Sequence, residues 1–306
     1  MKKIEGIVPV MLTPFTPDNH IDYPGLTRLI NWYLSQGVDA LFAVCQSSEM
    51  QYLSLDERVA LARFVMEQVR GCVPVIASGH ISDGLDEQIQ ELQAMAQTGI
   101  DALVLVTNHL DPQNQGEQAF YDHLHPLLDA LPADLPLGLY ECPAPYRRLL
   151  SDDEFRFCAN SGRFVVLKDV SCDLPTVARR VALAEGTPLA VINANAAIAW
   201  PAMQAGSRGF SGVFTNFHPG LYSWLYHQGA QQPENAHELS LFLSLSAVTE
   251  TLGYPKNAKI YHQRLGTFGS EHCRVNGDNV LEKFWGLNVL LDQIRDGSTL
   301  WQQRLG

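Results

Sequence analysis

Two apolar patterns alternate along the chain. Short continuous runs of apolar residues, bounded by Gly, Pro or small polar residues, give way to longer stretches in which apolar positions return every three or four residues. The first run is Gly6-Ile7-Val8-Pro9-Val10-Met11-Leu12, a strand, closed by the turn formers of residues 13–19. Leu26, Leu29, Ile30, Tyr33 and Leu34 then share one helical face, and Gly37 stands where a left-handed residue would end that helix. Residues 38–44 read as the second strand. A capping box, Ser54-Leu55-Asp56-Glu57, opens a helix with Leu61, Phe64, Val65 and Val69 on one side, and residues 73–78 read as the third strand.

A helix stop running straight into a strand then recurs. Gly37-Val38-Asp39-Ala40-Leu41 is echoed by Gly99-Ile100-Asp101-Ala102-Leu103, which marks a repeated helix-to-strand unit. A second capping box, Ser151-Asp152-Asp153-Glu154, opens a later helix. In all, eight strands end near Leu12, Val44, Ser78, Val106, Tyr140, Lys168, Asn193 and Val213, with helical patterns between them. This alternation predicts an α/β fold, a (β/α)8 TIM barrel with an appended C-terminal helical region; an open doubly wound sheet is the other arrangement the pattern allows. The expected division is a barrel over residues 1–225 and a helical region over 226–306 packed on it, with helices at 238–252, 259–265 and 280–294. These helices carry more apolar positions than closing a barrel requires, which points to self-association.

Composition narrows the class. With 306 residues, 46% hydrophobic and 18% charged, the chain can bury a proper core. A net charge of −12 leaves no Lys/Arg stripe to neutralise phosphates, so neither nucleic acid nor an anionic membrane surface is expected as a partner. No apolar stretch reaches the roughly 18 residues that a membrane span needs. The opening residues pass into a strand without the apolar core of a secretion signal, and a cytoplasmic location is expected. Cys45, Cys72, Cys142, Cys158, Cys172 and Cys273 lack CxxC spacing and read as reduced thiols. His123 and His125 are two apart and point to different sides of a helix, and there is no Walker loop or GxGxxG after a strand. Neither a metal nor a cofactor is expected.

In a barrel the C-terminal strand ends converge and carry the site. Lys168 ends the run Arg163-Phe164-Val165-Val166-Leu167-Lys168-Asp169. An amine held beside apolar side chains is desolvated, which favours its neutral, nucleophilic form. The plainer reading is a lysine that snorkels from a strand end and pairs with Asp169. An imine-forming lysine also needs a proton shuttle and donors for a substrate carboxylate. Tyr140 at another strand end can supply the first, and the hydroxyls and backbone of Ser47 and Ser48 the second. Each has an ordinary role too: Tyr packs well in strands, Ser-Ser is common turn chemistry, and Glu49 can simply accept backbone N–H groups.

Four segments at their mutual spacings carry a resemblance. They are Val10-Met11-Leu12-Thr13-Pro14-Phe15; Ser47-Ser48-Glu49 followed by Leu53-Ser54-Leu55-Asp56-Glu57-Arg58; Tyr140 with Pro143; and Leu167-Lys168-Asp169. Over nearly its full length the chain resembles the dihydrodipicolinate synthase/N-acetylneuraminate lyase family of Schiff-base aldolases. The resemblance implies that Lys168 forms an imine with a 2-keto acid such as pyruvate, that Tyr140 transfers protons, that Ser47 and Ser48 hold the keto-acid carboxylate, and that the protein is a homodimer or homotetramer.

The departures bear on substrate. Cys45-Gln46-Ser47-Ser48-Glu49 stands where the family shows Gly-Thr/Ser-Thr-Gly-Glu, so the turn's backbone is expected to differ. The inter-subunit tyrosine of synthase-type members aligns with Thr107-Asn108-His109-Leu110, leaving His109 as the candidate substitute. Ala194-Asn195 replaces the usual Gly-Asp or Gly-Glu, and Pro145 stands nearest the arginine with which synthases read a dicarboxylate, Arg147 lying two residues on. The chain thus departs from the lysine-pathway synthase and lacks the lyase's sugar-reading signature. The candidate substrate contacts beyond the imine are His109, Glu141, Arg147, Asn193, Asn195, Ser211 and Asn216, mostly amides and hydroxyls without two convergent arginines. Such groups suit hydroxyls better than a second carboxylate. The expected function is a cofactor-independent lyase, aldolase or dehydratase that joins a 2-keto acid to a hydroxylated aldehyde or cleaves the derived sugar acid. The alternative is a barrel that binds or senses such a metabolite without turnover. A metal-dependent aldolase ranks last, since no ligand cluster is visible in the sequence.

Overall fold

The computed structural model describes residues 2–306. In chain order it contains β1 (Gly6–Ile7), α1 (Tyr23–Ser35), β2 (Leu41–Phe42), α2 (Leu55–Val69), β3 (Val75–Ala77), α3 (Leu85–Ala96), β4 (Ala102–Val106), α4 (Glu117–Ala130), β5 (Leu137–Tyr140) and α5 (Asp152–Asn160). There follow β6 (Phe164–Asp169), α6 (Leu174–Leu183), β7 (Ala190–Asn193), α7 (Ala199–Gln204), β8 (Gly209–Phe210), α8 (Pro219–Gln228), α9 (Pro233–Ala247), α10 (Lys256–Arg264), α11 (Val280–Lys283) and α12 (Leu287–Leu305). The strands run parallel in the order β1-β8-β7-β6-β5-β4-β3-β2. A parallel bridge between Val10 and Phe42 joins the two ends, with the Phe42 N–H donating to the Pro9 carbonyl at 2.9 Å and the Met11 N–H to that of Phe42 at 3.0 Å. The ring is closed, so the fold is the TIM barrel rather than the open sheet.

The repeated phrase has a repeated job. Gly37 and Gly99 take φ of +69° and +84°, reversing the chain at a helix end as only glycine does cheaply. Two residues on, the Asp39 carboxylate accepts the Ile7 N–H at 2.8 Å, and Asp101 accepts the Val75 N–H at 2.9 Å. Each aspartate therefore ties a new strand to the start of a neighbouring one. Gly209 serves closure differently: at φ +144° it packs against β1 so closely that a Cβ would sit 1.8 Å from the Gly6 carbonyl oxygen.

Both capping boxes form. Ser54 and Ser151 each accept the N–H three residues on, and Glu57 and Glu154 reach back. Regular ladder pairing is shorter than the apolar runs. Pro9 has no N–H to give and ends β1 early, while β8 stops at Phe210 because residues Val213–Asn216 wind into a 3-10 turn. The helix expected over 238–252 is α9, which stops at Ala247 and passes into a 3-10 turn over Val248–Thr251; the one expected over 280–294 is broken at Phe284, Trp285 and Gly286 into α11 and α12. The boundary expected at residue 225 falls inside α8. Leu241 and Leu245 of α9 and Val248 beyond it are exposed. No helix among the described residues is long and apolar enough to cross a membrane.

Inside the barrel Val8, Phe42, Ile76, Val104, Leu139, Val166 and Ile192 pack together with Ser211. Lys168 borders this interior and also a large cavity at the C-terminal mouth.

Candidate active site

The cavity holds about 780 Å³ and lies over the C-terminal strand ends, where such a barrel places its chemistry. Lys168 and Tyr140 face each other across the β5–β6 ladder. Lys168 is only 7% exposed, and its Nζ lies 4.2 Å from the centroid of the Tyr140 ring and 5.8 Å from that of Phe42. Burial pushes its pKa below the ordinary 10.5; Cys45, Cys142 and Glu250 act against that shift without cancelling it. Asp169, the partner of the plainer reading, points to the other face of the strand and pairs with Arg180. The amine is therefore left for the cavity.

The Tyr140 hydroxyl donates to Gln46 Oε1 at 3.2 Å. Burial first, then the thiols of Cys142 and Cys45, raise its pKa well above 10.0, so the phenol holds its proton. Gln46 comes from the 3-10 turn after β2, Gln46–Ser48, which also carries Ser47 into the cavity. Ser48 is spent on that turn: its hydroxyl accepts the Cys45 N–H at 2.6 Å and donates to the Cys45 carbonyl at 2.7 Å, while its own N–H donates to that carbonyl at 3.1 Å. The positions where the family carries glycine need none here. Cys45 is extended, and the left-handed residue is Glu49, with φ of +60°. Glu49 is locked in place by a fully buried ion pair with Lys259 and by the N–H groups of Arg274 and Val275 at 2.6 and 2.8 Å.

Of the other sequence candidates, His109 and Asn195 line the cavity. His109 rests on the ring of His80, with centroids 5.3 Å apart, and its Nδ1 lies 3.9 Å from Asp83. Burial lowers its pKa, which leaves it neutral, with Asp83 and Glu91 opposing. His80 beneath is itself pushed down to about 3 and fixed between Gln88 and the Val106 N–H.

Four candidates are turned away from the cavity. Glu141 is fully buried and pairs with Arg180. Asn193 exchanges hydrogen bonds with the backbone of Asn195 at 2.7 and 3.0 Å. Ser211 donates to the Val8 carbonyl at 2.8 Å inside the barrel, and Arg147 spends its guanidinium on the carbonyls of Val170 and Ser171. These positions follow strand ends, but alternation or the following turn points their side chains inward or outward rather than upward. Asn216 is likewise buried; it bonds Tyr33 and the Val10 carbonyl and donates to the Tyr254 hydroxyl at 3.0 Å.

Tyr254 and Glu250 also line the cavity and were not among the sequence candidates. Both lie in the connector after α9, which sequence periodicity extends as helix to residue 252. Gly253 and Pro255, two helix breakers together, were the available signal. Among the described residues, no three His, Cys, Asp or Glu side chains gather as metal ligands would.

The sequence model of the dihydrodipicolinate synthetase family matches residues 3–275. The chain belongs to this family. A 4-hydroxy-tetrahydrodipicolinate synthase of Bacillus subtilis is 30% identical over 206 residues, 66% of this chain and 68% of that protein. Another, of Methylococcus capsulatus, is 34% identical over 140 residues, 46% of each chain. In fold, a dihydrodipicolinate synthase from Bacillus anthracis superposes with a TM-score of 0.86 at 23% identity, covering 95% of this chain and 99% of that one. CdNal from Clostridium difficile, solved in complex with mannosamine, superposes at 0.84 with 17% identity, covering 97% and 100%. Members of the dihydrodipicolinate synthetase family are class I aldolase-type enzymes that work on pyruvate through a Schiff base, and this chain is an enzyme of that type.

Proposed function

We propose that this enzyme joins a 2-keto acid such as pyruvate to a neutral, hydroxylated aldehyde, or cleaves the corresponding 4-hydroxy-2-keto acid, through an imine on Lys168. The observation that carries the reading is a desolvated amine at the floor of a cavity, released from Asp169 and set against the Tyr140 phenol. The neutral amine adds to the ketone to give a carbinolamine, and loss of water gives the iminium. Tyr140 supplies and recovers the proton that this dehydration moves, with Gln46 holding its hydroxyl in the resting state. The iminium then draws electrons from C3, whose proton leaves, and the enamine carbon attacks the aldehyde carbon. The new alkoxide takes up a proton, and hydrolysis returns the amine and the 4-hydroxy-2-keto acid.

Ser47 is the donor for the keto-acid carboxylate, because Ser48 has neither hydroxyl nor N–H to spare. Tyr254 stands beside Ser47, and its oxygen accepts from Asn216. Among the described residues no arginine lines the cavity, which supports an aldehyde without a second carboxylate. The exposed leucines of α9 support a homodimer or homotetramer.

The test is reductive trapping. Borohydride added with pyruvate should fix a lactyl-sized mass on the peptide containing Lys168. Absence of any adduct over a panel of 2-keto acids would falsify the imine. For Tyr140, replacement by Phe should lower kcat by roughly 10²–10⁴-fold in a protein of normal melting behaviour. An unchanged kcat would reduce Tyr140 to a packing residue.

A further inference from the structure

Glu250 belongs to no strand end. The 3-10 turn after α9 carries it to the cavity, and the Tyr254 N–H donating to the Glu250 carbonyl at 3.3 Å holds the turn in shape. Of the other acids at or behind the cavity, Glu49 pairs with Lys259, Glu141 and Asp169 with Arg180, and Glu57 with Arg274, while the exposed Asp83 has only His109 Nδ1 nearby, at 3.9 Å. The Glu250 carboxylate has no ion pair and no hydrogen bond among the described residues. Although the residue is solvent-exposed, desolvation raises its pKa, and Lys168 is the charge that draws it back down.

Among the described residues, Lys168 is also the only lysine or arginine lining the cavity. Once its nitrogen is taken up in the enamine, that charge is gone. A second substrate then enters a space holding the keto-acid carboxylate and Glu250, with His109 also in its lining. Glu250 and Val248 of the same turn are solvent-exposed, and Val213, Phe214 and Ala247 add apolar surface to the same cavity lining.

We infer that Glu250 sets the choice of aldehyde: its carboxylate accepts hydroxyl groups of a neutral acceptor and repels an aldehyde that carries a second carboxylate. The inference rests on the Schiff-base reading and adds a specificity residue to it. A hydroxyl donating to a carboxylate is a charge-assisted bond, whereas like charges brought together without a cation are strongly disfavoured.

The experiment uses the full-length protein with pyruvate and two sets of aldehydes, neutral (glyceraldehyde, erythrose) and anionic (glyoxylate, succinic semialdehyde), followed by pyruvate consumption. The parent should favour the neutral set in kcat/KM. Glu250→Gln should shrink that preference roughly tenfold or more, chiefly through KM, and Glu250→Arg should reverse it. Borohydride trapping of pyruvate is run on all three proteins. Trapping that persists while the neutral-to-anionic ratio stays the same in both variants overturns the role of Glu250 alone, and so does a parent that turns over no neutral aldehyde. A parent that traps no keto acid removes the Schiff-base reading, and this inference with it.

Discussion

Lys168→Ala should take up no pyruvate adduct under borohydride and should lose carbon–carbon bond chemistry by on the order of 10⁴-fold or more, as when a covalent nucleophile is removed elsewhere. The same variant should melt no lower than the parent. A buried lysine that pairs with no carboxylate is held at a desolvation cost, so removing it relieves the folded state instead of breaking a contact. Loss of chemistry with undiminished stability separates a catalytic lysine from a structural one; a lower melting temperature would mean that Lys168 holds the barrel together. The pH dependence follows from the direction of the shift. Only the neutral amine attacks the ketone, and burial lowers the pKa below 10.5, so the trapping rate should reach half its plateau below that pH. A midpoint at or above 10.5 would show an amine that is solvated in the free enzyme.

The fold was legible because two local rules agree along the chain. Apolar runs alternate with helical faces, and left-handed glycines mark the joins, as Gly37 and Gly99 show. Lys168, Tyr140 and Ser47 could be placed for the same reason, since a barrel gathers its strand ends on one face. What could not be read was the direction of side chains just past those ends. Asn193 and Glu141 sit within one residue of a strand terminus, yet one folds onto its own turn and the other faces Arg180 behind the sheet. Glu250 and Tyr254 were out of reach for a different cause. They arrive from a connector whose path depends on how α9 docks, a packing outcome that periodicity does not encode.

Arg180→Ala should be the most destabilising single change near the site, by about 3–5 kcal/mol, because it leaves two buried carboxylates without their cation. Glu141 follows β5 directly after Tyr140, and Asp169 follows Lys168 on β6; both are fully buried and both pair with Arg180 of α6. Glu141 also accepts the N–H groups of Leu150 at 2.9 Å and Val170 at 3.0 Å, so the cluster clamps the loops after β5 and β6. In the parent, desolvation raises the Glu141 pKa above 4.5, Arg180 opposes it, and Asp169 adds to the rise. Removing Arg180 removes the opposing influence, so the folded variant holds a proton that the unfolded chain releases. A carboxyl raised in the folded state contributes stability below its unfolded pKa and loses it as pH climbs through the folded one. The deficit of the variant against the parent should therefore be largest near pH 8 and smaller near pH 5, measured by denaturant midpoints. Combining Arg180→Met with Glu141→Gln should recover part of the loss, since replacing both members of a buried pair costs far less than orphaning one. A deficit that stays constant with pH would mean that Arg180 stabilises through packing alone, and that the charge cluster does not hold Tyr140 and Lys168 in register.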